Sequence, residues 1–210
     1  MAGGVSAVRS RVAVLVTVAL LVVSGCAALV FGASGNEGEG YAGSGPSKLR
    51  IAIYEPQQSF LVPHAALVIH SPDEHLIYDP AGWTPDERGH RLADVTYSVT
   101  PEVEQAFLMR ETMPMVRLAL QTAAQPESWE LFLFDLEVSD ETAREAARLA
   151  RARPALPITG CAFGLSTLLR QLSEFEDIPP CWFPSRLREA LQGRDDLTLT
   201  RHLVPPVQGG

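Results

Sequence analysis

Lysine is nearly missing from this 210-residue chain: Lys48 stands alone against sixteen arginines, and there are only three cysteines. Three cysteines cannot build the disulfide framework of a small secreted domain. Cations are also outnumbered, 17 to 25, for a formal net charge of -8. Clustered Lys and Arg to grip phosphates are lacking, so nucleic acid is not an expected partner. Neither H-E-x-x-H nor C-x-x-C occurs, and the five histidines lack ligand spacing, so no metal is expected. There is no Gly-rich phosphate loop and no Ser nucleophile elbow, hence no expected cofactor. No internal repeat is visible. What remains, 46% hydrophobic and 20% charged residues, excludes a disordered or collagen-like chain.

Many of the apolar residues sit at the start. Arg9 and Arg11 precede an apolar run from Val12 to Val23, followed by Ser24, Gly25 and Cys26. That order describes a secretory signal, residues 1–26. Val23-Ser24-Gly25-Cys26 resembles a bacterial lipobox, by which Cys26 would carry a lipid anchor. The run continues uncharged to Ala33, so residues 12–33 could instead span a bilayer as a signal anchor. Both alternatives put the remainder outside the cytoplasmic membrane, held to it by a lipid or an N-terminal helix. Residues 34–47 hold five glycines and read as a tether reaching roughly 20 Å. Beyond them, residues 48–203 form the expected folded domain, and residues 204–210 a loose tail.

Along that domain, residues 49–54, 64–70 and 75–79 read as strands, with a turn at Ser71-Pro72-Asp73-Glu74. Residues 94–100 suggest a fourth strand and 129–138 a fifth. Between them, 102–110 suggests a helix and 115–123 a helix or strand. Ser139 is a good N-cap, and Asp140 and Glu141 suit the positive end of the helix it opens. Another helix starts at Cys161, whose Leu165, Leu168, Leu169 and Leu172 fall on one buried stripe. Residues 185–191 form a short last helix. Strands first and helices later give an α+β fold.

A thiol in the first turn of a helix sits in the positive field of the macrodipole, which favours thiolate. A thiolate nucleophile needs an imidazole to manage its proton, and the imidazole needs an orienting group. His90 and His202 fall in weakly ordered stretches by this reading; His64, His70 and His75 lie in the strand pair. If residues 71–74 close a symmetric hairpin, His70 faces His75 and His64 faces Ala81. Asp79 is then the diagonal neighbour of His64 on one face, roughly 7–8 Å away backbone to backbone. His75 is roughly 20 Å away at the other end. A one-residue slip would send Asp79 to the opposite face. His70 and His75 are expected as a surface cross-strand pair, and the arginines of 143–153 as a solvated helix face.

Pro63-His64-Ala65-Ala66-Leu67-Val68-Ile69, then residues 75–82 (HLIYDPAG), the helix 139–153, and Gly160-Cys161-Ala162-Phe163 occur in an order with a counterpart. The set resembles the circularly permuted NlpC-type papain-like thiol hydrolases, including their lecithin–retinol acyltransferase-like and bacterial lipoprotein branches. The resemblance spans roughly residues 50–193. It implies a permuted papain-like fold, an antiparallel sheet packed against helices, one of which bears the nucleophile. It implies Cys161 as nucleophile, His64 as general base and Asp79 as orienting group, with the Cys161 N–H in the oxyanion hole. Many relatives have Asn or Asp before the cysteine, where this chain has Gly160; Thr159 is the expected substitute cap. The implied protein is a monomeric, membrane-tethered enzyme of the bacterial cell envelope, acting on a cell-wall peptide amide or a lipid acyl group. Two alternatives stay open. An even pair of cysteines outside the cytoplasm can form a Cys161–Cys181 disulfide, and the fold can serve as an inactive binding or scaffolding lipoprotein.

Overall fold

The central strands have little polar alternation because both faces of the sheet are covered. The structure, a computed structural model, describes residues 43, 45–57, 63–80, 95–109, 128–154, 156, 157 and 159–204. The signal, Cys26 and anchor expectations, His90 and the 115–123 element lie outside these residues. No helix among the described residues is long and apolar enough to cross a membrane.

In chain order the elements are β1 (Lys48–Pro56), β2 (His64–His70), β3 (His75–Tyr78), β4 (Val95–Thr96), α1 (Pro101–Leu108), β5 (Trp129–Glu137), α2 (Asp140–Ala152), α3 (Cys161–Leu169), a 3-10 turn (Ser173–Phe175), α4 (Pro184–Gln192) and β6 (Thr198–Val204). The strands form one antiparallel sheet in the order β4-β3-β2-β1-β5-β6. With the helices packed on it, the fold is α+β.

One face carries Leu49, Ile51, Ile53, Leu67, Ile69 and Phe134, and it packs with α2, α3 and α4 into the larger core. The opposite face carries Tyr54, Val68, Ile77 and Leu131 and packs against α1. Helix α2 starts where Ser139 Oγ accepts the Thr142 N–H at 3.0 Å. Its buried stripe is mostly alanine, which lets it lie close to its neighbours. In α3 the leucine stripe is fully buried. Each such leucine contributes roughly 1.5–3 kcal/mol by leaving water, which fixes the depth of the helix that Cys161 begins.

Several elements differ from the sequence reading. β4 is two residues long, and Ser98 just beyond it has a φ of 54°, so extended pairing does not continue. β6 was not anticipated. His202 and Val204, expected in loose chain, pair with Leu131 and Trp129 of β5. Gly43 and Ser47, read as tether, bond to the domain: the Gly43 N–H donates to His75 Nε2 at 3.3 Å, and Ser47 Oγ to Asp140 Oδ1 at 2.7 Å. The arginines of α2 are exposed as expected, Arg144, Arg148 and Arg151 pairing with Asp73, Glu145 and Glu74, but Arg153 at the C-cap is half-buried and donates to Thr167 Oγ1 at 2.9 Å.

His70 and His75 do pair across strands, with rings stacked at 4.3 Å, but as half-buried groups rather than a surface pair. The reason is Glu104, a buried carboxylate on α1. It meets His70 Nε2 at 2.8 Å and accepts from Arg50 Nη1 at 2.6 Å. Arg50 also grips Asp135 with two bonds of 2.7 and 2.8 Å. Burial opposes the charge on Glu104, yet His70 and Arg50 hold its pKa below the usual carboxylate range. Arg50→Met is expected to cost about 1–3 kcal/mol, because it leaves the buried carboxylate short of a donor. Urea unfolding of the variant checks this, and α1 should loosen first.

Candidate active site

His64 opens β2 and lies directly opposite Tyr54 of β1. The register of β2 with β3 has His70 opposite His75, Ile69 opposite Leu76, and Leu67 opposite Tyr78. Asp79 follows Tyr78, so it reaches His64 as the symmetric hairpin requires. His64 Nε2 and Asp79 Oδ1 are 2.5 Å apart, with side chains 17% and 16% exposed. The turn is held by Ser71, whose N–H and hydroxyl both donate to the Glu74 carbonyl at 2.9 Å. That local lock sets the register, and the register sets the pair.

Cys161 arrives from the other side of the chain. It is the first residue of α3, which packs on β2 through Leu165, Leu168 and Leu169. Gly164 lets the helix approach: a Cβ there would clash with the Leu156 side chain and crowd Pro80 and the Tyr78 hydroxyl at 3.0 and 3.1 Å. The N-cap is Gly160, with no side-chain cap bond, so Thr159, which is exposed, does not take that role. Cys161 and Cys181 are both free thiols, not a disulfide.

The Cys161 thiol interacts with the His64 side chain and with the backbone N–H groups of Ala65 and Ala162. Because Nε2 of His64 is taken by Asp79, Nδ1 is the ring nitrogen left for the thiol. Burial disfavours the thiolate, but His64 and the two N–H groups outweigh it and lower the Cys161 pKa from the usual thiol value. Burial likewise opposes charge on His64. The charge and hydrogen bond of Asp79, then those of Cys161, prevail and raise its pKa to about 10. Both shifts favour a thiolate–imidazolium pair. By contrast, burial alone raises the Cys181 thiol, which therefore stays protonated and inert.

The three residues singled out from sequence are thus adjacent in space. Sequence reasoning missed Tyr54, whose ring lies 6.2 Å from that of His64 and whose hydroxyl donates to the Phe107 carbonyl at 3.3 Å. It also missed the Ala65 N–H. No loop pattern links β1 to β2 closely enough to predict their register, so neither was visible. Among the described residues, no group of His, Cys, Asp and Glu has an arrangement that could hold a metal ion. Compared with known proteins, the chain matches no family model, no curated protein and no solved structure.

Proposed function

We propose that this protein is a thiol hydrolase or acyltransferase of the permuted papain-like type, acting on an amide or ester carbonyl. The observation that carries the reading is one imidazole shared between a helix-starting thiol and a carboxylate 2.5 Å from its far nitrogen. The Cys161 thiolate adds to the carbonyl carbon, and the developing oxyanion is met by helix N–H groups, that of Cys161 first. His64 gives its Nδ1 proton to the leaving amine or alkoxide as the bond to carbon breaks, leaving a thioester. Water, or an acceptor hydroxyl or amine, then loses a proton to Nδ1, attacks the thioester and regenerates the thiol. Asp79 keeps the ring oriented and steadies its charge. The proposed setting is the outer side of a bacterial membrane, with the chain held there by a lipid on Cys26 after removal of the signal or by residues 12–33 as a signal anchor. The proposed substrates are a cell-wall peptide or a lipid acyl group.

The direct test is Cys161→Ala in hydrolysis of p-nitrophenyl acetate, alongside iodoacetamide labelling followed by mass spectrometry. Fast labelling of Cys161 at neutral pH and loss of all thiol-dependent turnover in the variant are expected. Equal turnover by wild type and variant would overturn the enzyme reading and leave a binding or scaffolding module in its place.

A further inference from the structure

Asp79 and the Cys161 thiol hold two edges of the His64 imidazole, and a third neighbour lies beside its face. Tyr54 sits directly across from His64 on the adjoining strand, which puts the two side chains on one side of the sheet. Their ring centroids are 6.2 Å apart and the planes 28° from parallel. Tyr54 is fully buried. Its hydroxyl donates to the Phe107 carbonyl at 3.3 Å, and the Phe107 ring meets its ring edge-on at 6.5 Å and 86°. Phe107 belongs to α1, which Glu104 pins to the sheet through His70 and Arg50. The phenol plane beside His64 is therefore fixed from its far side.

These contacts differ in what they depend on. Asp79, 2.5 Å from Nε2, and the Cys161 thiolate both hold an imidazolium best, because a charge-assisted hydrogen bond is about twice as strong as a neutral one. Once a thioester has formed, the thiolate is consumed and His64 has handed its proton to the leaving group. The neutral ring then keeps one ordinary hydrogen bond at Nε2, about which it can turn. Yet this is the stage at which Nδ1 must meet a water at hydrogen-bond distance. The packing of Tyr54 depends on no charge, so it is the same before and after acylation.

We propose that Tyr54 is a positioning residue for deacylation, keeping the neutral His64 ring aimed at the water that attacks the thioester. The inference rests on Cys161 acting as the nucleophile. In the step concerned, a water proton passes to Nδ1 and the water oxygen bonds to the thioester carbon. The carbon–sulfur bond breaks, which returns the Cys161 thiolate beside the imidazolium. Acylation is less exposed to the loss of Tyr54, since the thiolate and Asp79 then hold the ring from both edges. A bare packing role would weaken both halves of the reaction alike.

The test acetylates the full-length protein with p-nitrophenyl acetate by rapid mixing, quenches in acid and follows the acetyl group on Cys161 by mass spectrometry. The expected result for Tyr54→Leu is a deacylation rate lowered roughly ten- to a hundredfold, with iodoacetamide labelling of free Cys161 near the wild-type rate. Acetylated Cys161 then builds up during turnover. Tyr54→Phe, which keeps the ring and gives up only the hydroxyl, should restore most of the deacylation rate. Should Tyr54→Leu fail to fold, Phe107→Leu slackens the far side of the phenol and should slow deacylation in the same sense by a smaller factor. Unchanged deacylation, deacylation and labelling falling together, or a Phe variant as slow as the Leu variant each overturns the inference and leaves the thiol-enzyme reading intact. A wild type that never carries acetyl on Cys161 overturns that reading, and this inference with it.

Discussion

Replacing His64 with alanine is expected to lower turnover by roughly 10²–10⁴-fold, the range over which a positioned acid–base group acts. The pH profile of Cys161 labelling carries more information than the loss itself. In the wild type, labelling should begin below the usual thiol range, because His64 and two backbone N–H groups favour the thiolate. It should then change again near pH 10, where His64 gives up its proton. In His64→Ala a single, later onset is expected. Asp79→Asn keeps a hydrogen-bond acceptor but removes the charge that raises His64, so the upper limb should move to lower pH. Stability follows the same logic with opposite signs for the two groups. The folded pKa of His64 lies above its unfolded value of 6.5, so its contribution is complete below that value and fades as pH rises through about 10. That of Cys161 is depressed, so its contribution is complete above the usual 9.0 and fades as pH falls through the lowered value. The two trends offset each other up to about pH 9, so the Tm difference between wild type and His64→Ala should narrow chiefly between about pH 9 and pH 10.5, as His64 loses its proton. A difference that stays constant across this range would remove the ion pair from the account.

The second large effect is expected from Gly164→Ala, one methyl group placed three residues from Cys161. The new Cβ meets the Leu156 side chain, Pro80 and the Tyr78 hydroxyl together. Leu156 can swing its far end away, but Pro80 is rigid and Tyr78 is fully buried. The helix must back off the sheet, and Cys161 moves with it. Overpacking of this kind costs about 1–3 kcal/mol, while a displacement of about 1 Å at reacting atoms can cost roughly 10²-fold in rate. Activity should thus fall further than Tm alone would explain. Circular dichroism melts read beside kcat/KM on p-nitrophenyl acetate check this. A variant that loses stability but keeps its rate would show that α3 is not held in place by this contact.

The parts of the site that were legible in the sequence are those set over short stretches of chain. His64 and Asp79 are joined by a turn whose composition fixes the hairpin, and period-two geometry does the rest. Ser139 announces α2, and the spacing of Leu165, Leu168, Leu169 and Leu172 announces the buried side of α3 and places Cys161 in its first turn. That α3 lies on β2, rather than on another strand, is a matter of packing volume over nearly a hundred residues, and no local pattern records it. Likewise β6 hides in a polar-looking TLTRHLV, because an edge strand exposed over most of its length carries little apolar alternation. Residue 70 looked like a surface histidine for a related reason: its partner Glu104 sits on a helix 34 positions later. Thr159 failed as a cap because the chain turns one residue further on, at Gly160.

The long separation between Asp79 and Cys161 has a consequence for how the protein comes into being. The His64–Asp79 half belongs to a hairpin that can close over a short loop, whereas the thiol joins only after a loop of roughly eighty residues has been paid for in entropy. Before docking, the Cys161 thiol lacks His64 and the Ala65 N–H and is no more reactive than Cys181. Under the proposed function, Cys161 therefore takes its reactive form only once α3 has docked on β2, and is not exposed as a thiolate while the domain is still open.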